Sequence, residues 1–254
     1  MNDDSIKAMI SKFLIAKSFS VTEMGVGMDE IPDLRATISG ESFLIEIKTK
    51  GDDPQEIRRE QELLAAGKVV NRSESLGRRN RLSAIVKKGV VQLANRLLPN
   101  EFAVIWIHLN GKNLDLMEKR TFATLYGTQT IVDMGQGHPS ATSCYYFENS
   151  DFFNHRAILS GVFVHFADKL CLCVNDLHPN ADLFRKSTLY RIMGEAVCDP
   201  LLMERTGRAF IVDANIDRSR PAEVLQYIRT KYRNNRLLNI QFAEYSATVS
   251  LPAE

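Results

Sequence analysis

Residues 32–48 alternate polar and apolar in a way that one β-hairpin satisfies on both of its strands. The first run is Pro32-Asp33-Leu34-Arg35-Ala36-Thr37-Ile38, and the second is Phe43-Leu44-Ile45-Glu46-Ile47-Lys48, joined by Ser39-Gly40-Glu41-Ser42. Side chains point to opposite faces in succession along a strand. Leu34, Ala36 and Ile38 therefore share one face with Phe43, Ile45 and Ile47, while Asp33, Arg35, Thr37, Glu46 and Lys48 share the other. A two-residue turn at Gly40-Glu41, with glycine supplying positive φ, sets Leu34 opposite Ile47, Ala36 opposite Ile45 and Ile38 opposite Phe43. Slipping by one residue would destroy this agreement, so the register is well specified. In this register Asp33 faces Lys48 and Arg35 faces Glu46. Asp33 and Glu46 are then diagonal neighbours, roughly 7–8 Å apart at the backbone.

Two carboxylates and a lysine gathered on one sheet face form a donor set that can hold a divalent cation against a phosphodiester. Pro32-Asp33 is the one Pro-Asp of the chain, and Glu46-Ile47-Lys48 its one acid-x-Lys triplet. The pair resembles the signature of the PD-(D/E)xK superfamily, the restriction-endonuclease-like nucleases, over about residues 1–110. The resemblance implies that Asp33 and Glu46 bind Mg²⁺, for which Mn²⁺ can substitute, with help from the Ile47 carbonyl. It also implies that Lys48 orients or activates the attacking water. Hard oxygen donors suit Mg²⁺, and such an ion stabilises developing phosphoryl charge.

The surroundings follow the order of that family's core: helix, three-stranded antiparallel meander, helix, strand. Ile6, Met9, Ile10, Phe13 and Leu14 predict an amphipathic helix over 5–18, and residues 19–24 a short strand. Asp53-Pro54-Gln55-Glu56 opens the next helix as a capping box, with Gly67 as its stop. A longer helix carries Leu82, Ile85, Val86, Val90, Leu93, Leu97 and Leu98 on one face. The run Phe-Ala-Val-Ile-Trp-Ile-His-Leu at 102–109 is a strand buried on both sides. Many members of that superfamily carry a further acid in the body of the first helix, and here none is present; Asp3, Asp4, Glu23, Asp29 and Glu30 are the nearby acids, with Glu23 the candidate to complete the metal shell. Gln92 is a second candidate site residue, because some nuclease families place a glutamine on this helix.

Charge is nearly balanced overall, at +1, which excludes a protein that coats nucleic acid by bulk attraction. It is not balanced locally. Residues 68–96 hold eight Lys and Arg against Glu74 alone. Within that segment Arg72, Arg78, Arg79, Arg81, Lys87 and Lys88 are the expected nucleic-acid-binding side chains, placed on a loop over 68–80 and on the first turns of the next helix. Contacts of that kind grip the backbone and are salt-sensitive rather than sequence-reading.

With 254 residues and 44% hydrophobic content the chain can bury a full core. No apolar run reaches membrane-spanning length, and an acidic start argues against a secretory signal, so the expected location is the cytoplasm with no membrane partner. Cys144, Cys171, Cys173 and Cys198 lack zinc-ligand spacing and read as buried thiols. His138, His155, His165 and His178 show no HxH or HxxxH spacing, which argues against a histidine metal centre. Gly25-x-Gly27 is too short for a nucleotide-binding fingerprint. Residues 113–126 read as helix, 129–134 as strand, 157–166 and 170–174 as a second hairpin, 208–212 as strand, 221–233 as helix and 239–245 as strand.

The expected fold is α/β, with a nuclease-like core over 1–112 and an α/β extension over 113–254 that packs on or continues the same sheet. The expected activity is Mg²⁺-dependent phosphodiester hydrolysis, most simply by a DNA endonuclease of restriction, repair or defence type. DNA is the preferred partner, and a homodimer is compatible with this reading. The alternative is a nuclease-fold protein without cleavage activity that binds nucleic acid or another protein.

Overall fold

The apolar stripe Ile6, Ile10 and Leu14 winds the first segment into a helix whose buried side seats the central sheet. The computed structural model of the protein describes residues 3–24, 31–135, 138–240 and 245–253. Helix α1 (Asp3–Ala16) precedes an antiparallel meander of β1 (Ser20–Glu23), β2 (Leu34–Ile38) and β3 (Glu41–Gly51). A crossover of α2 (Pro54–Ala65), β4 (Val70–Ser75) and α3 (Asn80–Ala94) leads to β5 (Phe102–Asn110), which lies parallel to β3. Then come α4 (Leu114–Tyr126), β6 (Gln129–Asp133), β7 (Ser140–Tyr145), α5 (Asp151–Asn154), β8 (Leu159–Phe166) and β9 (Lys169–Val174). The chain closes with α6 (Ala181–Lys186), α7 (Thr188–Met193), β10 (Val197–Cys198), α8 (Pro200–Arg205), β11 (Ala209–Ile211), α9 (Pro221–Lys231), β12 (Leu237–Asn239) and β13 (Tyr245–Ser250).

The main sheet has seven strands in the order β1-β2-β3-β5-β8-β9-β10. The second half of the chain thus continues the sheet of the first, through parallel pairing of β5 with β8. It also builds a four-stranded sheet, β11-β7-β6-β12, while β4 and β13 form a two-stranded ribbon. Two apolar layers clothe the main sheet. On one face α1, α6 and α7 pack on Phe43, Ile45, Val104, Trp106 and Phe163. On the other α3, α4, α5 and the second sheet pack on Leu44, Ile105, Ile107, Val162 and Val164. β5 is buried on both faces from Ala103 to Leu109, which accounts for its unbroken apolar sequence.

Three expectations need correction. The hairpin turns at Ser39-Gly40, not Gly40-Glu41, with φ of 49° and 81°. Positive φ at both central residues matches the right-handed twist of the flanking strands. The register moves by two residues, so that Leu34 pairs with Ile45, Ala36 with Phe43 and Ile38 with Glu41. A shift of two keeps every side chain on its predicted face, and Glu41 gains an acceptor role towards the Thr188 N–H at 2.7 Å. The segment 68–80 is not simply a loop, because Val70–Ser75 is a strand paired over its whole length with β13. The strand expected at 239–245 is instead the end of β12 and the start of β13, with 241–244 outside the described residues, as are Gly25, Gly27, Asp29 and Glu30.

Candidate functional site

The site arises where β2 stops and β3 runs on. Pro32 has no N–H to give a ladder, and β2 begins only at Leu34, opposite Ile45. Beyond Ile45 the β2-side edge of β3 has no strand partner among the described residues, and the Asp33 side chain takes over. Its Oδ2 accepts from the Ile47 N–H at 2.9 Å. The N–H and C=O of one strand residue point to the same side, so the Ile47 carbonyl opens onto the edge that Asp33 occupies. With the register shifted by two, Asp33 falls opposite Glu46 rather than Lys48, replacing the predicted diagonal with a direct juxtaposition.

Glu46 and Lys48 project from β3 onto the α3 face, beside Ile105 and Ile107 of β5. Lys48 Nζ makes a short ion pair with Glu46 Oε1 and donates to Gln92 Oε1 on α3 at 2.7 Å. The Glu46 side chain is only 2% exposed, and its Oε2 has no hydrogen-bond partner. Burial pushes this carboxyl up to about 7, opposed by the Lys48 hydrogen bond and charge and reinforced by the charge of Asp33. An ionised carboxylate here is costly unless a further cation reaches it. Close approach of α3 depends on Gly89, where an added Cβ would lie 3.0 Å from Ile105 Cδ1 and 3.5 Å from Glu46 Cγ. Gly89→Val is expected to cost roughly 1–3 kcal/mol by overpacking, read as a lower urea midpoint. A midpoint equal to wild type would mean that α3 does not need to sit this close.

The structure therefore brings together Asp33, Glu46, Ile47, Lys48 and Gln92. Glu23 stays apart: it is exposed on β1 opposite Leu34, and its side chain makes no hydrogen bond or ion pair among the described residues. Sequence reading missed Lys7. From α1 its Nζ lies 3.4 Å from Asp33 Oδ1, with the lysine side chain 15% exposed. The first helix thus contributes a cation where an acid was sought. The signal was there, since Lys7 stands at i−3 and i−7 to the core residues Ile10 and Leu14, on the buried stripe.

The basic segment is more heavily paired than its sequence implied. Arg72 bonds Glu60 at 3.2 Å, Arg78 bonds Asp151 at 3.1 Å, Arg79 bonds Glu74 at 2.9 Å and Arg81 bonds Asp53 at 2.5 Å. These arginines line a cleft of about 560 Å³ bordered by the N-terminal ends of α2, α3 and α4. Lys50 lines it too, two residues beyond Lys48 on the same face of β3. The cleft carries seven cationic and five acidic side chains, so its excess of positive charge is modest. Lys87 and Lys88 are exposed on α3 and have no ion-pair partner among the described residues.

Among the described residues no three of His, Cys, Asp and Glu converge as a ready metal cluster. The donor set for a hard cation is therefore two carboxylates and one backbone carbonyl, and the orphaned Glu46 Oε2 fits such an ion. Comparison with protein-family models, curated proteins and solved structures gives no match. No helix among the described residues is long and apolar enough to cross a membrane.

Proposed function

We propose that the protein is a metal-dependent nuclease that hydrolyses phosphodiester bonds, with DNA as the expected substrate. The observation that carries this reading is the buried, unpartnered Glu46 Oε2, set opposite Asp33 and beside the Lys48 ammonium. The order α1, meander, crossover and parallel β5 supports it, being that of the PD-(D/E)xK core. Asp33, Glu46 and the Ile47 carbonyl would hold Mg²⁺, which when bound supplies Lewis-acid stabilisation of phosphoryl charge and a more acidic water. Lys48, held by Gln92, places a positive charge where the attacked phosphate gains negative charge. The cleft beyond Lys50 offers arginines for flanking phosphates. The test is cleavage of plasmid, linear duplex, single-stranded DNA and RNA with and without Mg²⁺. Cleavage that persists in EDTA, or none on any substrate, would overturn the reading.

Lys87→Ala with Lys88→Ala is expected to lower the slope of log affinity against log salt by about two phosphate contacts. An unchanged slope on duplex DNA would remove α3 from the interface.

One observation favours a second reading, a nuclease-fold protein that binds without cutting. Each carboxylate already has an ammonium partner, Lys7 for Asp33 and Lys48 for Glu46, which leaves less net charge for a metal to neutralise. Lys7→Gln separates the two readings. In a cleaving enzyme it is expected to tighten Mn²⁺ binding by about fivefold, the worth of a partly exposed ion pair, read by calorimetry. Absence of Mn²⁺ binding in both wild type and variant favours the non-cleaving protein.

A further inference from the structure

On the face of the sheet away from Glu46, two imidazoles meet. His108 of β5 and His165 of β8 are paired in register on adjacent parallel strands. Their Nδ1 atoms lie 3.0 Å apart, and the ring centroids are 4.9 Å apart. Their separation of 57 residues hides the pair from any reading of local histidine spacing. Both rings sit near the C-terminal ends of parallel strands, where open α/β sheets gather ligands. Thr49 of β3 continues the row beside His108, and its hydroxyl donates to Asp3 of α1 at 3.1 Å.

We propose that His108 and His165 form a two-imidazole site for a borderline divalent transition ion, Cu²⁺ or Ni²⁺, separate from the carboxylate pair. The contact is a hydrogen bond when one ring carries its proton on Nδ1; when both carry it on Nε2, neither Nδ1 donates and both lone pairs are free for one shared cation. Metal–nitrogen bonds of about 2.0–2.1 Å across the 3.0 Å gap subtend an angle of roughly 90°. That is the cis angle of a tetragonal complex and is tighter than the tetrahedral angle Zn²⁺ prefers. Burial lowers the proton affinity of both rings, which keeps their lone pairs available at neutral pH. Trp106 packs edge-on to His165 with centroids 6.1 Å apart, limiting the freedom of that ring. Solvent supplies the remaining positions through the partly buried His165 side.

The experiment titrates metal-free full-length protein with CuCl₂, followed by electron paramagnetic resonance and calorimetry. The expected result is one equivalent of Cu²⁺ with a tetragonal, nitrogen-coupled signal, bound at least tenfold more tightly than Zn²⁺. Both the signal and the tight equivalent are lost in His165→Gln, whose partly buried position leaves the far-ultraviolet circular dichroism unchanged. Asp33→Asn and Glu46→Gln leave Cu²⁺ binding intact, so the outcome does not depend on the nuclease reading. Retention of the same equivalent in His165→Gln, or no stoichiometric uptake by wild type, would overturn the assignment.

Discussion

Asp33→Asn is expected to reduce Mg²⁺-dependent cleavage by about 10³-fold, the scale of removing a single well-placed electrostatic contribution to a transition state, while leaving the fold intact. The amide keeps an oxygen that accepts from the Ile47 N–H, now bonded to Asp33 Oδ2 at 2.9 Å, so the uncovered edge of β3 stays satisfied. What disappears is the negative charge opposite Glu46. Asp33→Ala removes both, and losing the acceptor adds a stability cost of about 1 kcal/mol. The two variants therefore share their catalytic loss and differ in urea midpoint. Equal cleavage by wild type and Asp33→Asn would place the chemistry elsewhere in the molecule.

The hairpin that carries both variants is legible in sequence to an unusual depth. Alternation alone assigns every side chain of 33–48 to its face, and a register shift of two leaves the assignment untouched. The shift does change what faces what, and turn chemistry decides it: Ser39 and Gly40 take positive φ together, which polarity patterns do not report. β5 was legible for a different reason, since nine residues with almost no polar interruption fit a strand covered on both faces.

β4 was not legible. Val70-Asn71-Arg72-Ser73-Glu74-Ser75 has one apolar residue, and its ladder partner β13 lies some 175 residues further along the chain. Nothing local announces such a pairing. The same distance effect hid the acid partners of the arginines: Arg78 finds Asp151, and the cluster that reads as free positive charge is substantially neutralised in space. Lys7 and Gln92 illustrate the two ways a site residue escapes a motif. Gln92 stands outside the motif and is reached only through the resemblance to families that place a glutamine on this helix, whereas Lys7 is a cation on α1, where the resemblance implies an acid.

Glu46→Gln is expected to give the largest stability effect, and its sign depends on pH. Burial raises the Glu46 carboxyl from 4.5 to about 7 in the folded protein. Between those values the native state holds a proton that the unfolded chain has released, so stability falls as pH rises through that window. Below about pH 4.5 both states are protonated and the contribution is fully present; above about pH 7 it is lost. The shift corresponds to roughly 3 kcal/mol. Because glutamine mimics the neutral acid, the metal-free variant should match wild type at pH 4 and exceed it by up to that amount at pH 8, as read from urea unfolding. A gap independent of pH would mean that Glu46 is not held in an apolar setting. The same proton links stability to metal uptake. A cation at Asp33 and Glu46 needs the carboxylate, so Mn²⁺ binding below pH 7 should release close to one proton and weaken about tenfold per pH unit. The energy that makes Glu46 unfavourable in the empty protein is then the energy recovered when a cation reaches its unpartnered oxygen.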